Sequence, residues 1–149
     1  MEKLNTFLFT ATILVSQSSF ASEDELKTGE QLYKTNCAVC HGGSGDYKST
    51  KRVAPPIAAV RMHYINTYSD KDSFIQAITE WVEKPEESNT LMKGAIRKFN
   101  IMPQLAVPTE DSEKIAAYIF EGNIEKPKGF EAHIKEKHGK NFGNPDKNH

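Results

Sequence analysis

Cysteine is scarce in this chain: 149 residues hold only Cys37 and Cys40. Two cysteines cannot build a disulfide framework, and with no second C-x-x-C a structural zinc site would need ligands from distant positions. An excess of charge of one sign is missing as well. Nineteen Lys and Arg against twenty Asp and Glu leave a formal net charge of −1, which gives no bulk attraction to nucleic acid or to an anionic membrane surface. Beyond Val15 no apolar run approaches the roughly 20 residues that a spanning helix needs. Internal repeats are absent, and so are alternating runs that would read as strands. What remains is ordinary for one globular domain, with 38% hydrophobic and 26% charged residues.

Residues 1–21 read as an export signal to be set aside before any fold reasoning. Lys3 supplies a weakly basic start, Leu4 to Val15 is a short apolar stretch, and Ser19-Phe20-Ala21 has the small residues that cleavage requires. Cleavage is expected after Ala21. It leaves a soluble, periplasmic chain starting at Ser22, with no integral membrane segment.

The mature part reads as helices. Ser22 is expected to cap a helix to Asn36, with Glu23, Asp24 and Glu25 at its positive end. Leu26, Gly29, Leu32 and Tyr33 share one face, and Gly29 within it suggests that another helix crosses very close. Gly42 to Lys51 reads as a loop and Pro55-Pro56 prolongs it. Ile57 to Tyr64 is a short helix or turn. Ser69 is expected to cap the next helix, to Glu83, with Asp72 in capping-box position and Phe74, Ile75, Ile78, Trp81 and Val82 on its apolar face. A shorter helical stretch follows from Asn89 to Phe99. Asn100 to Pro108 is a loop, and Thr109 is expected to cap a last clear helix that Gly122 ends. Three segments result: residues 1–21, a domain over 22–122, and a polar extension over 123–149 with a short helix near Glu131 to Lys137.

Cys37-Ala38-Val39-Cys40-His41 carries the chemistry. Positions i, i+3 and i+4 share a face of a helical turn. Two thiols so placed can form thioethers to the two vinyl groups of one haem, while the adjacent imidazole reaches the iron. This C-x-x-C-H run is the pattern of c-type haem attachment. A thioredoxin-like pair would want a βαβ context, and a plain disulfide would leave His41 without a role.

The other axial position of the iron decides between electron transfer and ligand chemistry. Met102 is the best candidate because Ile101-Met102-Pro103 lies in a loop that helices can hold still. Met92 reads as a core residue, Met62-His63 is a weaker rival, and His133, His138 and His149 lie in the polar tail.

With these residues in view, the chain resembles the class I c-type cytochromes, the soluble monohaem cytochrome c family. The resemblance rests on Gly29 with Tyr33, the Cys37–His41 run, Ala54-Pro55-Pro56-Ile57, Met102-Pro103 and Ala117-Tyr118-Ile119, in order from about Glu25 to Glu121. It implies an all-α cytochrome c fold, several helices wrapped around one covalently bound haem c, with an extended C-terminal tail. The first and last helices should cross near Gly29 and Tyr118. A proline carbonyl, of Pro55 or Pro56, should accept the His41 Nδ1–H bond, and Trp81 or Arg61 is a candidate for a haem propionate. The long Gly42–Val53 loop and the tail depart from the minimal pattern.

The expectation is therefore an electron carrier rather than an enzyme, cycling Fe(II)/Fe(III) with His41 and Met102 bound. It would act as a monomer or in transient complexes with other redox proteins. The alternatives are a haem protein with a labile sixth site, acting as a ligand sensor or peroxidase, and a cytochrome subunit of a larger redox enzyme.

Overall fold

The computed structural model describes residues 23–139 and 142–143. The export signal, the proposed Ser22 cap and His149 lie outside the described residues. Seven α-helices make up the described chain: α1 (Glu23–Asn36), α2 (Ala38–His41), α3 (Ile57–Thr67), α4 (Lys71–Glu83), α5 (Lys93–Phe99), α6 (Thr109–Glu121) and α7 (Phe130–His138). No strand is present among the described residues; one isolated parallel bridge joins Asp46 to Lys128.

The main core forms where α1, α3, α4 and α6 meet. Tyr33, Ile65, Phe74, Ile78, Ile115 and Ile119 are buried together there. Gly29 is the point of closest approach between α1 and α6. A Cβ built on it would collide with the Lys114 carbonyl oxygen and lie 3.0 Å from Tyr118 Cβ. The crossing expected near Gly29 and Tyr118 is present, and Tyr33 packs on Tyr118 with ring centres 5.7 Å apart.

Three helix starts differ from the sequence expectation. Asp70, not Ser69, caps α4: its carboxylate accepts from Ser73 N at 2.9 Å. A carboxylate at this site also opposes the helix dipole better than a hydroxyl. The helical stretch expected from Asn89 starts only at Lys93, because Thr90 Oγ1 takes the Met92 N–H at 3.0 Å and holds the chain in a turn. Thr109 is the first residue of α6 rather than its cap; Pro108 holds the cap position, and Thr109 Oγ1 donates to Glu83 Oε1 at 2.5 Å, tying α6 to the end of α4. Gly122 ends α6 at φ 79°, as expected.

Candidate haem site

The site grows from the end of α1. Cys37 N donates to Tyr33 O at 2.9 Å, and His41 N returns to Cys37 O at 2.9 Å. These bonds wind Ala38–His41 into one further turn, α2, and carry both thiols and the imidazole on it. Cys37 and Cys40 are free thiols, the first partly buried and the second exposed. Burial, then the neighbouring Cys40, pushes the Cys37 thiol up to about 11. A thiol held protonated is a poor thiolate nucleophile.

His41 is oriented from behind. Its Nδ1 lies 2.8 Å from the Pro55 carbonyl oxygen. A carbonyl only accepts, so Nδ1 carries the proton and Nε2 presents its lone pair. Burial lowers the His41 pKa, and the Pro55 bond opposes that in part. The ring is therefore a neutral imidazole, the form that ligates metals. Pro56 plays a different part: its carbonyl accepts from Ala59 N at 2.8 Å and starts α3.

Two residues that sequence reasoning did not place also touch this turn. Tyr33 Oη donates to the His41 carbonyl at 3.3 Å. Arg52 spreads its guanidinium over the loop after His41, donating to Gly42 O at 3.0 Å, Ser44 O at 2.7 Å and Asp46 O at 3.2 Å. The Cys-proximal Tyr33 was legible as a helix-face residue, whereas nothing local in the sequence pairs Arg52 with carbonyls six to ten residues earlier.

The remaining candidates are distributed as follows. Met102 is half-buried in the extended segment between α5 and α6. Met92 and Met62 pack instead against a second cluster around Phe130 and Ile134. Trp81 is half-buried on α4, outside the buried core. Arg61, considered for a propionate, is engaged elsewhere: its guanidinium caps α6, donating to Ile119 O at 3.0 Å and Phe120 O at 2.8 Å. The residues present fit a haem. Among the described residues, Val39, Val53 and Ile101 are the large apolar side chains left exposed. Val39 stands between the thiols, Val53 shares a shallow recess with Cys40, and Ile101 precedes Met102. Such apolar surface is what a porphyrin covers.

An all-helical fold whose first helix runs into a thiol–thiol–imidazole turn, with that imidazole held by a proline carbonyl, is compatible with a helical protein that attaches haem. The family model described as Cytochrome c matches residues 26–122, well over half of the 149, and the chain belongs to the cytochrome c family. No curated protein and no solved structure matches it. Membership supports haem-based electron transfer with redox partners, and Cys37 and Cys40 are compatible with covalent attachment of haem c. No helix among the described residues is long and apolar enough to cross a membrane.

Proposed function

We propose that this protein is an exported, periplasmic electron carrier with one haem c, bonded through Cys37 and Cys40 and ligated by His41 and Met102. When bound, the haem supplies a single iron that exchanges one electron between its ferrous and ferric states. The chain's residues do the rest. Cys37 and Cys40 fix the porphyrin to α2. The Pro55 carbonyl fixes the His41 ring and its tautomer. Met102 would be the second protein ligand to the iron, a closed site of the kind that favours electron transfer over ligand chemistry. Trp81 remains the propionate candidate.

The observation that carries this reading is the His41 ring, its Nδ1 held 2.8 Å from the Pro55 carbonyl oxygen, on the same turn as both thiols. The reading of Met102 is tested by optical spectra of both oxidation states. The ferric protein should show the weak charge-transfer band of sulfur ligation, Met102→Ala should lose it, and the reduced wild type should not bind carbon monoxide near neutral pH. Ready carbon monoxide binding by the wild type would instead favour the sensor or peroxidase reading. Export is tested by sequencing the N-terminus of the protein recovered from the periplasm, which should begin at Ser22.

A further inference from the structure

After Gly122 the chain leaves the span that the family covers and turns back over the loop that follows His41. Lys128 N donates to Gly45 O at 2.9 Å and Tyr47 N donates to Lys128 O at 3.0 Å. Gly43 lies so close beneath Glu125 that any Cβ there would collide with the Glu125 carbonyl. Then α7 lands on α3. Phe130 and Ile134, 1% and 5% exposed, pack against Ala58 and Ala59, with Tyr47 and Met62 at the edge. The segment from His41 to Pro55 is thus held internally by Arg52 and externally by the tail. The ends of that segment are the two partners of the hydrogen bond that orients the haem-ligating imidazole.

Histidines line the seam. His63 on α3 meets His138 on α7 edge-on, with ring centres 5.1 Å apart. His138 stacks on Phe142 at 4.4 Å, and Phe142 also contacts His63 at 4.9 Å. His133 lies against Tyr47 at 4.3 Å and 6.3 Å from His138. Among the described residues no group of three His, Cys, Asp or Glu is placed to hold a metal ion, so the cluster is not a ready coordination site. Its chemistry is protonation. Burial lowers the pKa of His63, and His138 adds to this. Burial also lowers that of His133, followed by His138. Lys137 on α7 and Lys48 on the loop push His133 the same way, while Glu136 on α7 opposes them.

We propose that the segment from Asn123 to His138, with Phe142, is a pH-responsive strap, docked on α3 and the His41–Pro55 loop while His63 and His133 are neutral and released on acidification. The sign follows from linkage. A histidine whose docked pKa lies below its ordinary value of 6.5 takes up a proton more readily when undocked. Docking is at full strength above about pH 6.5 and weakens as the pH falls below it. A proton on half-buried His63, which faces His138 and Phe142, or on His133 must sit where burial disfavours charge, and the apolar contacts of Phe130 and Ile134 then hold α7 alone. Release removes the Lys128–Gly45 and Tyr47–Lys128 bonds from the haem-proximal loop.

The test is amide exchange followed by NMR on the full-length haem-loaded protein, corrected for the intrinsic pH dependence of exchange. Between pH 7.5 and 5.0, protection of the α7 amides around Ile134 should fall by about tenfold or more, while the α6 amides keep theirs. In a variant with His63, His133 and His138 all changed to Phe, α7 should stay protected at pH 5.0. Lys48→Glu, which sets a carboxylate near His133, should move the loss to lower pH. Equal α7 protection at both pH values in the wild type overturns the proposal. So does a loss in the triple variant that matches the wild type, or an unmoved midpoint in Lys48→Glu. Amide protection is read without reference to the sixth ligand, so failure here is distinct from failure of the Met102 assignment.

Discussion

Cys37, at the N-cap of α2, and Cys40, within it, share one helical turn but not one environment. Cys37 is partly buried beside Tyr33, and its thiol is pushed up to about 11 by burial first and by Cys40 second. For an acid whose folded pKa lies above its unfolded value, stability is fully present below the unfolded value and is lost as pH rises toward the folded one. The unfolded reference is 9.0. Protein prepared without haem should therefore lose stability to denaturant between pH 9 and 10. Burial also raises Tyr64, to about 12 from 10.0, so the tyrosines add to the loss only at higher pH. Cys37→Ala should remove the loss in the lower window, and so should thioether formation, which leaves no thiol to titrate. A haem-free Cys37→Ala protein that declines between pH 9 and 10 as steeply as the parent would show that Cys37 is not the group responsible. His41 shows the same logic with the opposite charge: burial selects the neutral ring, and the Pro55 carbonyl selects which nitrogen keeps its proton.

At the scale of the elements, the crossing of α1 and α6 sets where α2 begins. Gly29 allows the two backbones to touch, and Tyr33, one turn further on, packs on Tyr118 and reaches the His41 carbonyl. Gly29→Ala must push α6 away from α1, because the atom in its path is a backbone oxygen that cannot rotate aside. A loss of about 1–3 kcal/mol is expected from overpacking, offset only slightly by Ala's better helix propensity. Thermal unfolding checks it, and a variant as stable as the parent would mean that the helices slide past the methyl at no cost. The close crossing was legible in sequence because a glycine on an otherwise apolar helix face weakens the helix, a cost that close backbone packing offsets. Helix starts were less legible. Ser69 and Asp70 stand side by side as potential caps, and Thr109 follows a proline that already sets the entry angle. Which residue becomes the cap depends on the path of the preceding chain.

For the whole molecule, the buried residues divide into two clusters. The larger surrounds Phe74 and Ile65 between α1, α3, α4 and α6, and the smaller surrounds Phe130 and Ile134 under α7. Phe74 is fully buried in the first and Phe130 nearly so in the second. Phe74→Ala should lower global stability by about 3–5 kcal/mol. Phe130→Ala should instead free α7 locally while the remaining helices keep most of their stability, since α7 is joined to them through one face of α3 and the loop. Hydrogen exchange distinguishes these outcomes: uniform loss of protection in the first variant, loss confined to α7 and the Gly43–Tyr47 loop in the second. A global collapse in Phe130→Ala would make α7 part of a single cooperative unit.

The cytochrome c family and the helical class could be read from the primary structure alone, because the residues that carry them are local. C-x-x-C-H sets two thiols and an imidazole on one turn by helical spacing, and periodic apolar residues mark amphipathic helices wherever they later pack. The tertiary fold decided what depends on residues distant in sequence. It chose Pro55 over Pro56 as the acceptor for His41, since Pro56 spends its carbonyl on α3. It drew Arg61 to the end of α6, 58 residues away, and Arg52 onto the loop that follows His41. It also turned a lysine-rich tail with isolated Ile and Phe into a packed element. Phe130 and Ile134 fall four apart on a short helix, and the face of α3 that carries Ala58 and Ala59, with Tyr47, Met62 and Met92 beside it, supplies the partner for their apolar face.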